Sequence, residues 1–187
     1  MSEPEDLSLA GILARISTRS LPPVQDWNPS SCGEIDIRIA RNGDWFHAGS
    51  RIERERMVRL FSTVLRTDDE GTWLVTPQEK LRIEVEDAPF TAVALERHGA
   101  PDAPALAFTT NVGERVVADA EHPIVVEYAD PDADPRPYLV VRDRLRALIS
   151  RAVFLELAEH VEEGPDGTLG VVSRDTFMPL GPSPTDE

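Results

Sequence analysis

Cysteine is almost missing from this chain: Cys32 stands alone among 187 residues. That excludes an intramolecular disulfide and a thiolate-built metal site, and it suits a reducing, cytoplasmic setting. Lysine is equally scarce, with Lys80 the one exception among 19 basic residues that are otherwise Arg. No apolar run approaches the ~20 residues of a membrane-spanning helix. The opening MSEPEDLSLAG is acidic, where a secretory signal would be basic and then apolar. The four histidines, His47, His98, His122 and His160, are dispersed, with no His-x3-His or His-Glu-x-x-His spacing. Gly-x-Ser-x-Gly is lacking, NGDWFHAG has neither phosphate-loop pattern, and APDAP and DPDADP lack the ligand alternation of a calcium loop. No metal, cofactor or catalytic residue is therefore assigned.

Acidic residues are abundant: 34 against 19 basic ones, a net charge of -15. Such a charge opposes binding to nucleic acid or to an anionic membrane, so neither a nucleic-acid partner nor membrane insertion is expected. The basic residues are clustered, however. Seven Arg between Arg38 and Arg66 face only Asp44, Glu53 and Glu55, and four between Arg142 and Arg151 face only Asp143. The planar guanidinium suits two-pronged contacts to carboxylate or phosphate.

Leu9, Ile12, Leu13 and Ile16 predict a helix over 5–18, followed by a Pro-rich connector, SLPPVQDWNPSSCG. Ile35, Ile37 and Ile39 alternate with Asp36 and Arg38, and Asn42-Gly43 predicts a two-residue hairpin turn. Ser50-x-x-Glu53 reads as a capping box for a helix whose apolar stripe is Met57, Leu60, Phe61, Val64 and Leu65. TWLVTP and KLRIEVED read as strands, the second with Leu81, Ile83 and Val85 opposed to Arg82, Glu84 and Glu86. DAPF marks a boundary near residue 88. Beyond it FTAVALERHG, ALAFTTNV, RVVADA, PIVVEYA and YLVVR predict strands. Asp143 is read as the N-cap of a long helix over 144–161, and TLGVVSRDTFMPL as a closing extended segment before a frayed tail, GPSPTDE.

The pattern gives an α+β protein of two small domains, 1–88 and 89–187. Helix, Asp-Gly turn and strand recur: Phe61 and Phe154 correspond, as do Gly71 and Gly167, predicting a repeated strand-helix-strand motif. Asp-Gly turns are common, so the echo bears on architecture more than on activity.

Eight segments carry a family resemblance: LPPVQDWNPSSCGEIDIRIARNGDWFHAG, MVRLFSTVLR, LVTPQEK, VEDAPF, TTNVGE, ADAEHPI, PYLVVRDRL and RAVFLELAE, in order across residues 21 to 180. They resemble the bacterial family known as domain of unknown function 1285, with Phe46 and Leu155 where relatives carry Tyr. The resemblance implies a two-domain fold with repeated motifs, a C-terminal part like a pleckstrin-homology barrel, a ligand or partner site between the domains, and a link to signalling. It implies no catalytic residue.

The site expected from these readings is non-enzymatic. Arg38, Trp45, Arg59, Lys80, Arg142 and Arg151 are the candidate ligand-binding residues, lining an interdomain cleft for an anionic small molecule or protein partner. An alternative is a hydrolase-like enzyme around His47, Cys32 and the Glu84/Glu86 row. Surface ion pairing of each Arg with nearby acids competes with the first reading, and a solvated strand face with the second.

Overall fold

The computed structural model describes residues 21–128 and 134–181. The helix expected over 5–18 and the tail after Gly181 lie outside the described residues. The chain divides into two compact units, the first ending at Asp87 and the second starting at Ala88. Both are mostly sheet, with one α-helix described in each.

The first unit opens with a 3-10 turn, Val24–Asp26, inside the Pro-rich connector. Arg66 holds that turn, donating from Nη1 to Val24 O at 3.1 Å and Trp27 O at 2.8 Å. Strand β1 runs Ser31–Ile39, β2 Trp45–His47 and β3 Ser50–Arg51. The β1–β2 connection is longer than the two-residue turn expected. Ala40 N–H bonds Asp44 O at 2.9 Å, leaving a three-residue loop in which only Gly43 takes a positive φ, 86°. Asn42 acts through its side chain instead, its Oδ1 accepting from Asp44 N–H at 3.1 Å.

The expected capping box does not form, because Ser50 is taken up in β3. Helix α1 starts later, Glu55–Thr63, behind Arg54 and without a side-chain cap. It also ends earlier than its apolar stripe. Ser62 and Thr63 turn their hydroxyls back to Arg59 O and Leu60 O, both at 2.7 Å, a local alternative to helix that combines with poor propensity at Thr63 and Val64. Leu65 then begins β4, Leu65–Asp68, followed by β5, Gly71–Val75, and β6, Glu79–Val85. The sheet order is β3-β2-β1-β6-β5-β4, with β1 and β6 parallel. Ile37, Ile39, Leu65, Leu74 and Ile83 form its buried face with Trp45, which stacks on Phe61 of α1 at 6.2 Å.

In the second unit β7 spans Phe90–Ala100, β8 Ala103–Thr110, β9 Arg115–Val117, β10 Ile124–Glu127, β11 Arg136–Arg142 and β12 Leu145–Ile149. Their order is β10-β11-β12-β7-β8-β9, with β7 and β12 parallel. The order is open, with β9 and β10 as its edges.

The long helix expected over 144–161 is replaced by a strand and a short helix. Leu145, Ala147 and Ile149 alternate inward and pair with β11, and Asp143 is a turn residue at φ 47°, not an N-cap. Asp tolerates that region because its short side chain bonds locally. The helix proper, α2, is Arg151–Ala158; Ser150 caps it, its Oγ accepting from Val153 N–H at 3.4 Å. The closing segment is a separate three-stranded sheet, β13 Glu162–Glu163, β14 Leu169–Ser173 and β15 Thr176–Pro179. Ser173 ties it to the six-stranded sheet: its buried hydroxyl donates to Ala118 O at 2.6 Å and accepts from Leu106 N–H at 2.9 Å.

Candidate functional site

Strand parity decides which charged side chains meet on the first sheet. Neighbouring residues on a strand face opposite ways, while cross-strand partners face the same way. Arg38 is in register with Phe46 on β2 and with Glu84 on β6, so these share the solvent face with Glu34, Asp36 and Arg82. His47 is in register with Ile37 and takes the other parity. The alternative enzyme site therefore does not assemble: His47 points away from the Glu84/Glu86 row. Cys32, exposed, pairs with Lys80, four residues from Glu84, and four residues of strand is about 13 Å. Among the described residues no group of His, Cys, Asp or Glu is arranged to hold a metal ion.

Three of the predicted basic residues are neutralised within their own unit. Arg38 pairs with Glu86 and lies 4.4 Å over the Phe46 ring. Glu86 also accepts from Arg41 N–H at 3.0 Å; that bond, with Arg38 beside it, holds its carboxyl below the usual range against the opposing effect of burial. Lys80 bonds Asp68 at 2.7 Å and sits 3.9 Å over Trp73. Burial alone would raise the Asp68 pKa, but hydrogen bonds from Lys80, from Trp73 Nε1 at 2.9 Å and from Glu70 N–H at 3.0 Å outweigh it and lower the value to about 2. Arg142, in the second unit, pairs with Glu114 and lies 5.2 Å from the Phe90 ring centre.

The other three differ. Trp45 is 1% exposed and belongs to the core, so it lines no surface. Its β2 position alternates inward, and its apolar bulk fills the space under Phe61. Arg59 is exposed on α1, 3.7 Å from Glu55. Arg151 is exposed at the first turn of α2.

A different place on the first unit has the dimensions of a ligand site. Between Glu34↔Arg82 and Arg38↔Glu84 the parallel register slips, so that Ile35, Asp36 and Ile37 stand opposite Ile83 alone. Bulges of this kind open a ladder and re-aim its side chains. The gap belongs to a groove of about 470 Å³ across β1, β6 and β5, lined by Glu34, Asp36, Glu84, Arg82, Gly71 and Thr72 among others. Gly71 supplies part of its floor: a Cβ there would stand 3.5 Å from Arg82 Nε, so the guanidinium lies along the space that glycine leaves. Among the described residues, Glu34, Asp36, Glu84 and Arg82 have no salt-bridge partner within 4.0 Å. The alternation of Glu34, Asp36 and Arg38, and of Arg82, Glu84 and Glu86, is visible in the sequence. What it does not display is the parallel pairing that sets those rows side by side.

Comparison with known proteins accounts for nearly all of the described chain. Residues 22–88 match the N-terminal domain of a domain of unknown function, DUF1285, and residues 89–180 match the C-terminal domain of the same family. A crystal structure of a DUF1285 family protein from Silicibacter pomeroyi DSS-3 aligns with a TM-score of 0.83 and 42% identity, over 91% of this chain and 93% of that one. Another, from Shewanella baltica OS155, aligns with a TM-score of 0.53 and 26% identity, over 67% of this chain and 91% of that one. No curated protein matches the sequence. With both of its domains matched in order, the chain belongs to the DUF1285 family.

Proposed function

We propose that this protein is a non-catalytic binding module, and that its ligand seat is the groove on the open face of the first sheet. One observation carries the reading. The cations of the unit are spent on its own carboxylates, Arg38 on Glu86 and Lys80 on Asp68, whereas Glu34, Asp36 and Glu84 around the groove have no salt-bridge partner among the described residues. An anion at Arg38 or Lys80 would have to displace a carboxylate already in place. A cation entering the groove displaces nothing, and the net charge of -15 steers it inward. The volume is within the ~300–1,000 Å³ of small-molecule sites.

The ligand class favoured is thus an amine- or guanidine-bearing molecule, in place of the anion expected from arginine clustering alone. A cytoplasmic protein that reports such a ligand to a partner, in signalling, is the setting we infer. The second unit, antiparallel meanders followed by a helix, serves in this reading as a pleckstrin-like scaffold. Each six-stranded sheet has two three-stranded meanders joined by a parallel first-to-last pair, and we take this as the repeated motif.

Thermal unfolding of the full chain with agmatine, a dication lacking a carboxylate, tests the groove. Saturation at a hundredfold excess over Kd adds ~2.7 kcal/mol, raising Tm by about 5–10 °C for a chain of this size. The double variant Asp36→Asn/Glu84→Gln should lose that shift. Either no shift in the wild type or an equal shift in the variant refutes the site.

A further inference from the structure

The groove is not uniformly acidic, and its polarity has a direction. In the order β1-β6-β5, Glu34 and Asp36 lie on β1 and Glu84 on β6. Arg82, also on β6, leans the other way, toward β5: its guanidinium lies along Gly71 and sits 5.8 Å from the Trp73 ring centre, and both of those are β5 residues. Glu34 is its neighbour in register, yet the two make no salt bridge. The cationic and acidic ends of the groove are therefore held apart, on opposite sides of a glycine-floored gap.

Two strand spacings separate β1 from β5, ~10 Å. Allowing ~3 Å for a hydrogen bond at each end, the charges of a bridging ligand would stand about 4 Å or more apart. That separation suits one molecule carrying both signs. A simple polyamine would leave Arg82 facing a third positive group, and a simple dicarboxylate would face three carboxylates. We propose, building on the groove reading above, that the ligand is a zwitterion of the amino-acid or short-peptide class. Arg82 takes its carboxylate through paired N–H donors, and Glu34, Asp36 and Glu84 take its ammonium or guanidinium. Arg82 is then the residue that determines specificity, and Gly71 keeps the space in which its guanidinium is reached.

Arginine and agmatine form a matched pair of probes, differing by one carboxylate. Isothermal titration of the full chain with each gives the ratio of their dissociation constants. The proposal expects arginine to bind at least tenfold tighter than agmatine, and Arg82→Gln to bring the ratio close to one while agmatine binding persists. Arg82→Lys, which keeps the charge without the fork, should fall between. Circular dichroism of each variant establishes that it is folded, and Arg82 is exposed on a strand face where Gln is accommodated. Equal affinities in the wild type overturn the zwitterion proposal but leave the cation groove intact. A tenfold preference that survives Arg82→Gln overturns the role of Arg82. Binding of neither probe refutes the groove itself, and this inference with it.

Discussion

Protonation of Asp68 should loosen the first unit over a narrow acid range. Asp68 Oδ1 accepts from Trp73 Nε1 and Oδ2 from Lys80 Nζ, so one carboxylate ties β4 to β5 and β6. Its pKa falls from 3.8 to about 2 in the fold. A group with a depressed folded pKa stabilises the protein above its unfolded value, and that contribution is lost as pH falls through the folded value. The full displacement corresponds to roughly 2 kcal/mol at ~1.36 kcal/mol per pH unit. The side chain is 32% exposed, however, and solvent screening reduces this to about 1 kcal/mol. Around half of it should disappear between pH 5 and pH 3. Urea unfolding followed by tryptophan fluorescence, in the wild type and in Asp68→Asn, isolates the effect from the other carboxylates. At an m-value of ~2 kcal/mol/M the wild-type midpoint should fall by about 0.2–0.3 M more than that of the variant. The Trp73 indole N–H resonance should move with a midpoint near pH 2. Parallel pH dependence in the two proteins, or an indole midpoint near pH 4, would show that the Asp68 carboxylate contributes no such stability.

Two further perturbations probe packing. Gly170→Ala would place a Cβ 2.4 Å from Met178 O and 2.5 Å from Phe177 Cζ; overpacking of this order costs ~1–3 kcal/mol, read as a lowered Tm, and an unchanged Tm would contradict the packing of the closing sheet. Trp45 buries its indole N–H without a partner. Trp45→Phe removes that unpaired donor and should change stability by less than about 1 kcal/mol, whereas Trp45→Ala should cost ~3–5 kcal/mol; a large loss in the Phe variant, by denaturant titration, would mean that the N–H is bonded after all.

Strands were legible where one side was buried, because period-two alternation has a single physical reading. Ile35, Ile37 and Ile39 and Leu81, Ile83 and Val85 are of this kind. The failures lie where periods compete. RLRALI suits a helical stripe as well as a strand, and the outcome turned on Asp143 closing a hairpin and on Ser150, the cap that was overlooked. Ser50-x-x-Glu53 matched a capping box, yet the two-residue turn at Ala48-Gly49 drew Ser50 into β3. Of the candidate site, the charged rows were readable but their adjacency was not. β1 and β6 are some forty residues apart in the sequence, and a parallel pairing with a slipped register leaves no local signature. Nor does composition tell which cations are already paired: Arg38, Lys80 and Arg142 looked available because their partners Glu86, Asp68 and Glu114 lie 48, 12 and 28 residues away.

The parallel joints of the two sheets explain why the groove occurs in one unit without a counterpart in the same place in the other. In the second unit the joint is short: Ala147↔Phe90, Leu148↔Thr91 and Ile149↔Ala92. Beyond it Ser150 N–H bonds Ala92 O at 3.1 Å, and α2 starts at once and packs on β7. The helix thus covers the strand where the joint ends. In the first unit the helix lies earlier in the chain, between the two meanders, and its apolar side goes to Phe61 and Trp45 on the buried face. On the solvent face nothing in that unit covers the slipped register between Glu34 and Arg38, and the side chains there are charged. A backbone ladder opened in this way forgoes hydrogen bonds that a regular pairing would make, at ~1 kcal/mol each. A purely structural sheet would close it by deleting two residues of β1. Shortening β1 by Ile35 and Asp36 keeps strand parity and restores a continuous register from Glu34 to Arg38. Such a variant should therefore fold with equal or higher Tm while losing the groove and any agmatine binding. A shortened chain that still binds would place the ligand elsewhere on the molecule.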